Sequence, residues 1–308
     1  MTSELLKTPE ISGLLDRVSG LDQSGGNPRT KRILRRVVAD LYAVIDEFNV
    51  TPEEFWHTLA FLQTGAAEFG LIAPGLGFDH FLDMRMDRAD QQRGTAAGTP
   101  RTIEGPLYVA GAPLAKGSAR LDDGTDKGEA LVMHGRVLDV AGAPIGGAVV
   151  DVWHANTLGA YSFFDPTQSA YNYRRRIETD ADGRYKLQSM VPSGYAVPPG
   201  GATERLLGAV GRHGRRPAHI HFFVSAQGFR HLTTQINIDG DPDLHDDFAY
   251  ATRDELIPKV IRHTDGKAIH AAGLDAAFSE IEFDFVMNVA QHADEAGLPE
   301  RPRVSAPA

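Results

Sequence analysis

Two histidines stand one residue apart at positions 219 and 221, within the stretch GRHGRRPAHIHFFVSA that covers residues 211–226. Phe222, Phe223 and Val224 follow them as an apolar run. Side chains two apart on a β-strand point to one face, so His219 and His221 aim two imidazoles at a common point. Neutral imidazole binds zinc, copper and iron alike, so the pair suggests a metal centre without naming the metal. Two half-buried strand histidines would give the same pattern. The chain has no cysteine, which removes thiolate ligands, disulfides and a cysteine nucleophile and leaves nitrogen and oxygen donors. No histidine or carboxylate at a ligand spacing accompanies the pair, so neither a histidine-rich zinc site nor a two-histidine, one-carboxylate ferrous site is evident.

Two tyrosines stand out instead. Tyr161 lies in WHANTLGAYSFFDP and Tyr195 in VPSGYAVPPGG. Each falls in a predicted loop after a strand, where a rigid framework presents functional side chains. A packed aromatic would look the same there, and spacing alone does not choose. Among the other histidines, His57 and His80 fall on predicted helices, and His270 and His292 in polar surroundings. These four read as surface or capping residues. His134 and His154 fall on predicted strands and read as hydrogen-bonded core residues.

The elements that must position these groups change character along the chain. From Ile33 apolar residues recur at helical spacing through Val37, Leu41, Val44 or Ile45, and Phe48. Thr51, Pro52 and Glu54 form a capping signature that opens a second helix carrying Phe55, Leu59 and Leu62. A third helical stretch lies near FDHFLDMRMDRADQQ, and RGTAAGTP at 93–100 reads as a linker. Beyond it the period becomes 2. ALVMHGRVLDVAGAPIGGAVVDVWHA reads as strand, turn and strand, and an Asp182-Gly183 turn precedes another strand. HIHFFVSA, LTTQINI and IEFDFVMN add three more. Many short strands between Gly, Pro and Asp turns predict a mixed, mainly β fold: an antiparallel β-sandwich preceded by an α-helical segment. The expected division is a helical region over 1–100, a sandwich over 101–290 and a tail over 291–308 whose last ten or so residues are disordered.

The chain has 308 residues, of which 42% are hydrophobic, enough for a sizeable core. Its net charge is −10, from 31 basic and 41 acidic residues, which argues against nucleic acid or an anionic membrane as the main partner. The N-terminal stretch has no apolar signal region, and no run approaches 18 apolar residues. A soluble, cytoplasmic protein is expected.

Five ordered motifs carry a resemblance: GTPRTIEGPLYVAGAP (98–113), VWHANTLGAYSFFD (152–165), VPSGYAVPPGG (191–201), GRHGRRPAHIHFFVSA (211–226) and LTTQINIDGD (232–241). Together they resemble the intradiol ring-cleaving dioxygenases, over roughly residues 10–290. The resemblance implies one non-haem Fe(III) per subunit, held by Tyr161, Tyr195, His219, His221 and a hydroxide. Two tyrosinates and a hydroxide would balance the trivalent ion inside a low-dielectric sandwich. Catechol and dioxygen are the implied substrates, and cis,cis-muconate the product. Catechol would give its two protons to the hydroxide and to Tyr195. Arg216 would stabilise charge building on the ring, with Gln235 beside it; its neighbour Arg215 reads as solvated.

Pocket walls carry over as Leu71, Pro74, Ile103, Pro106 and Leu107. Further along, Ala196, Val197, Phe248 and Ala249 complete them. GPLY at 105–108 favours catechol over chlorinated catechols or hydroxyquinol. Ala196 and Val197 depart from the Gly-Cys usual in catechol-cleaving relatives, and Val197 is expected to narrow the pocket. The resemblance also implies a homodimer paired through the helical segment, with a phospholipid held between subunits. The alternatives are a chlorocatechol or hydroxyquinol dioxygenase and, in another class, a non-catalytic β-sandwich ligand-binding module. The full set of four ligand positions argues against the last.

Overall fold

The structure is a computed structural model, and it describes residues 5–292 together with Glu295 and Gly297. Most of the predicted 291–308 tail, including its last ten residues, lies outside the described residues. The chain divides between Ala66 and Ala67 into two compact units. Compactness therefore divides the chain well before the linker at 93–100.

Among its described residues the first unit holds three α-helices, α1 (Pro9–Val18), α2 (Pro28–Glu47) and α3 (Pro52–Gly65). Each begins with proline, whose fixed φ and missing N–H suit the first turn. Each also has a side-chain cap: Thr8, Asn27 and Thr51 accept from first-turn N–H groups. The predicted capping box is present, with the Thr51 N–H donating to Glu54 Oε2 at 2.9 Å and the Glu54 N–H to Thr51 Oγ1 at 3.2 Å. Arg35 Nε, 2.6 Å from Asp16 Oδ1, ties α2 to α1. No residue of α2 is buried.

The second unit opens with α4 (Phe69–Gly75) and α5 (Phe78–Gln92). Strands follow as β1 (Leu114–Lys116), β2 (Ser118–Arg120), β3 (Ala130–Asp139), β4 (Val149–His154), β5 (Arg174–Glu178), β6 (Arg184–Met190) and β7 (Tyr195–Ala196). Then come α6 (Ala202–Ala209), β8 (Arg215–Arg216), β9 (His219–Ser225) and β10 (Leu232–Asn237). The order closes with β11 (Val260–His263), α7 (Gly266–Ala271), β12 (Phe278–Glu282) and β13 (Phe285–Met287).

One sheet runs β1-β5-β4-β9-β10 and the other β11-β12-β3-β6-β2, with β13 added on β3. The core lies between them. Leu131 and Met133 of β3 and Leu187 of β6 meet Val150 and Val152 of β4 and Ile220, Phe222 and Val224 of β9. These residues alternate along their strands as the pleat requires. The predicted sandwich is present, but its sheets are mixed. Pairs such as β3·β6, β4·β9 and β9·β10 are antiparallel, whereas β1·β5, β2·β6, β12·β3 and β13·β3 are parallel. The predicted strand-turn-strand over 130–155 forms, yet the turn after Asp139 carries the chain from one sheet to the other.

Of the two strand histidines expected in the core, only His154 is buried there; its Nε2 lies 2.8 Å from Ser189 Oγ and its Nδ1 2.6 Å from the Ala155 carbonyl. His134 is half-exposed, with Nε2 3.0 Å from Glu280 Oε1. A carboxylate at that face supplies the partner that burial would otherwise have to provide.

Candidate metal centre

The strand pleat settles where the paired histidines point. Ile220, Phe222 and Val224 of β9 face the inter-sheet core, so His219, His221 and Phe223 face the other way. The candidate centre therefore lies on the outer face of the five-stranded sheet, under loops, and not between the sheets as the charge argument had placed it. β9 is flanked on both sides, which fixes the histidines laterally. Trp153 of β4 and Gln235 of β10 both stand opposite His221, and Asn237 stands opposite His219. The Trp153 indole stacks on the His221 ring at 4.9 Å and 8°.

Tyr161 follows β4 in a tight turn, as predicted. Tyr195, expected on a loop, sits on the two-residue strand β7, paired with β8 in the register Tyr195↔Arg216. Two residues carry no periodicity that a sequence can show, but the pairing matters because it puts the Tyr195 and Arg216 side chains on one face. The two tyrosine-bearing segments touch at Gly159, whose φ is 81°. A Cβ there would meet the Gly194 carbonyl at 2.8 Å and Tyr195 Cβ at 2.9 Å. Only glycine permits that approach.

Four rings converge. Nε2 of His219 and Nε2 of His221 lie 3.0 Å apart. The Tyr161 ring lies 5.6 Å from Tyr195, edge to face, and Tyr195 lies 5.5 Å from His219. His219 Nδ1 is 2.7 Å from the Pro217 carbonyl, which keeps the proton on Nδ1 and the lone pair on Nε2. Burial, with the positive charge of Arg216, pushes the His219 pKa down to about 3. Burial, His219 and Arg216 push His221 well below its ordinary value. Both rings are therefore neutral donors of electron pairs. Burial first, and Tyr195 second, hold the Tyr161 hydroxyl in its protonated form in the metal-free protein.

Several of these atoms lack what a closed protein interior demands. The Tyr161 hydroxyl and His221 Nδ1 are buried without a hydrogen-bond partner, each costing about 1–3 kcal/mol. Two lone-pair nitrogens facing each other are unfavourable as well. A cation among them removes the nitrogen repulsion and engages the phenol oxygen. The 3.0 Å separation suits two nitrogens about 2.1 Å from one ion at a right angle. Two imidazoles with two phenol oxygens, which become hard anions on binding, suit trivalent iron. The residues present fit the metal the resemblance implies.

A second charged group is built against this set. Arg216 is 4% exposed. Its Nε and Nη2 donate to Asp247 at 3.1 Å each, Nη2 donates to Gln235 Oε1 at 2.8 Å, and Nη1 lies 3.0 Å from His219 Nε2. Burial opposes the charge, but Asp247 and the nearby tyrosines outweigh it and hold the Arg216 pKa above its ordinary value. Asp247 also accepts from the Ala249 and Ala251 N–H groups. Arg215, by contrast, is exposed and pairs with Asp243, as expected of a solvated neighbour. Gln235 and Arg216 are thus brought together as predicted. Asp247 and Trp153 are the site residues that sequence reasoning missed. A buried arginine demands a carboxylate, but DGDPDLHDDF at 239–248 offers several, and spacing does not select among them.

The wall residues divide into groups. Ile103, Val197, Phe248 and Ala249 form one buried cluster with Leu207 and Ala251. Leu107 packs with Tyr108, Trp153, Tyr161 and Tyr195. Leu71 is half-buried and Pro74 buried on α4, while Pro106 is exposed but lies against Gly70. Val197 is turned onto the Gly214 backbone. Ala196 is not brought to the site. It is exposed on the opposite side of β7 from Tyr195 and Val197, because successive strand residues face opposite ways.

The chain is a β-sandwich with tyrosines and histidines gathered on one sheet's outer face, and its class is that of the dioxygenases. A family model described as Dioxygenase matches residues 103–289, and one described as Catechol dioxygenase N terminus matches residues 27–94. The chain belongs to the intradiol ring-cleaving dioxygenases, generally non-haem iron enzymes. Catechol 1,2-dioxygenase 2 of Acinetobacter lwoffii is 60% identical over 252 residues, covering 81% of this chain and 92% of that protein. The solved structure of catechol 1,2-dioxygenase from Acinetobacter sp. ADP1 matches with a TM-score of 0.95 at 49% identity, covering 99% of this chain and 100% of that one. Hydroxyquinol 1,2-dioxygenase of Rhizobium sp. is 33% identical over 271 residues, covering 85% of this chain and 90% of that protein.

Proposed function

We propose that the protein is an iron(III) catechol 1,2-dioxygenase, one iron per chain, that cleaves catechol with dioxygen to cis,cis-muconate. The observation that carries this is the convergence of His219 Nε2 and His221 Nε2 at 3.0 Å beside two tyrosines. Tyr161, Tyr195, His219 and His221 would hold the iron. When bound, it supplies a centre that draws electron density from the catechol ring and so opens the ring to dioxygen.

The chain does the rest. Tyr195 is less buried than Tyr161 and sits on a short surface strand, so its oxygen, ionised while it holds the iron, would be the one to take up a catechol proton. Arg216, charged and fixed by Asp247 and Gln235, presents a preorganised positive charge toward the ring. Ile103, Leu107, Val197, Phe248 and Ala249 exclude water, and Leu71, Pro74 and Pro106 close the remaining side. The carbon–carbon bond between the two hydroxylated carbons breaks, and both oxygen atoms of O2 enter the two new carboxyl groups. Unsubstituted catechol, rather than a chlorinated catechol or hydroxyquinol, is the preferred substrate.

In this reading the helical region over 1–100 serves dimerisation. The groove of about 430 Å³ beside Leu5, Leu6, Ile11, Tyr42 and Ile45 takes a phospholipid acyl chain. No single helix among the described residues is long and apolar enough to cross a membrane. The proposed location is the cytoplasm, and nucleic acid is not a partner. The test is anaerobic titration of iron-loaded protein with catechol, followed by oxygen and product analysis. Visible phenolate-to-iron absorption that shifts to longer wavelength, then one muconate per dioxygen, is expected. A colourless zinc protein with full activity would overturn the site.

A further inference from the structure

One pocket wall reaches the site by an unusual route. α4 carries Leu71 and Pro74, but it is only seven residues long and lies far in sequence from the ligands. A pair of side-chain contacts, one at each end, ties it to another part of the chain. Both go to the excursion between Tyr195 and His219.

At the N-terminal end, Glu68 reaches the first turn of α6. Its Oε1 accepts from the Ala202 N–H at 2.9 Å, and its Oε2 from the Thr203 N–H at 2.9 Å and Thr203 Oγ1 at 2.7 Å. α6 has no side-chain cap of its own, since its N-cap is Gly201. A Cβ on Gly201 would lie 2.7 Å from Glu68 Oε1, so the carboxylate occupies the space a side chain would take. Glu68 therefore caps α6 from a distant part of the chain. At the other end Arg212, just past α6, donates from Nη1 to the Gly75 carbonyl at 2.6 Å and from Nη2 to the Phe248 carbonyl at 3.0 Å. Its guanidinium lies 4.8 Å from the Tyr250 ring centroid.

Between these ends α4 is packed without slack. A Cβ on Gly70 would meet Pro106 Cβ at 3.0 Å, and one on Gly75 would meet the Phe248 ring at 3.3 Å. Pro106 and Phe248 are themselves candidate walls. A shift of α4 by a few tenths of an ångström thus moves several wall residues together.

We propose that Glu68 and Arg212 form a two-point clamp that fixes α4 against the Tyr195–His219 excursion and so sets the pocket width that selects among ring-substituted catechols. This rests on the dioxygenase reading above. Glu68 and Arg212 are positioning residues: they act through Leu71, Pro74 and Phe248 rather than on the ring.

Glu68→Ala and Arg212→Met should each raise KM for catechol with kcat little changed. Each should also shift the kcat/KM ratio of 4-methylcatechol to catechol upward by roughly fivefold or more, while iron content and visible absorption stay at the wild-type level. Glu68→Gln, which keeps one acceptor, should recover part of the shift. Hydrogen exchange over 69–77 should quicken in Glu68→Ala. Exchange needs no substrate, so the two ideas fail separately. Wild-type protein that does not cleave catechol overturns the reading of function. A Glu68→Ala protein with wild-type exchange over 69–77 overturns the clamp, as does loss of iron and kcat at an unchanged substrate ratio.

Discussion

A guanidinium removed from water needs a counter-charge, and Arg216 finds one in Asp247 through two hydrogen bonds of 3.1 Å. Removing one partner of a buried pair leaves the other uncompensated, at a cost of about 3–5 kcal/mol. Asp247→Asn should therefore lower unfolding stability by about 3 kcal/mol. It should also reduce kcat/KM, because the charge presented to the ring is no longer held in place. Denaturant unfolding of iron-loaded protein checks the first, and a stability within 1 kcal/mol or so of wild type would show that the pair is not what fixes Arg216. At this scale the sequence is legible where chemistry restricts the residue type. Without cysteine, a two-imidazole pair is left with nitrogen and oxygen partners, and it was the family motifs that marked Tyr161 and Tyr195. It is illegible where many residues could serve, as among the aspartates at 239–248. Val197 shows the same limit: its type suggested a narrower pocket, but only backbone geometry shows it turned onto Gly214.

Elements follow the same division. Helix starts were readable from Thr51, Pro52 and Glu54, and the strands of the sandwich from their alternation. β7 and β8 were not, since two residues have no period, and the parallel edge pairs were not, since pairing is set by the path of the chain. Helix α5 shows what local pattern leaves out. Asp87 and Asp90 on it face arginines from three segments: Arg101 contacts both, Arg253 lies 2.8 Å from Asp87, and Arg230 lies 3.0 Å from Asp90. Asp83, one turn before Asp87, is buried, and that burial pushes its pKa up to about 6 despite Arg253 and Arg101. A carboxyl whose pKa is raised on folding stabilises the fold below its unfolded value near 3.8. That contribution is lost as pH rises through about 6. Asp83→Asn should therefore stabilise the protein at pH 7.5 by an amount of order 1–3 kcal/mol, and by less at pH 5. Unfolding midpoints of both proteins at the two pH values test it. A gain that does not grow with pH contradicts the assignment.

Seen at the scale of the molecule, an uncovered apolar stripe lies in the first unit. Val37 and Leu41 on α2 and Phe48 at its C-cap are 49%, 56% and 70% exposed, and Ile45 completes the stripe. These residues fall at helical spacing along one face, and α2 buries none of its residues within the chain. An amphipathic helix whose apolar face has no cover among the described residues of its own unit is short of a covering surface. A second copy of the same helix supplies one, since a two-fold interface is self-complementary. The protein should then sediment at twice its 33.4 kDa chain mass at micromolar concentration. Leu41→Glu should weaken that association by at least tenfold, or about 1.4 kcal/mol, because it places a carboxylate in an apolar contact. The residues proposed to hold iron all belong to the second unit, so under that proposal the monomeric variant should still bind iron and keep its phenolate absorption. Wild-type protein that sediments as a monomer rules out the interface, and a Leu41→Glu protein that stays dimeric moves it off this stripe.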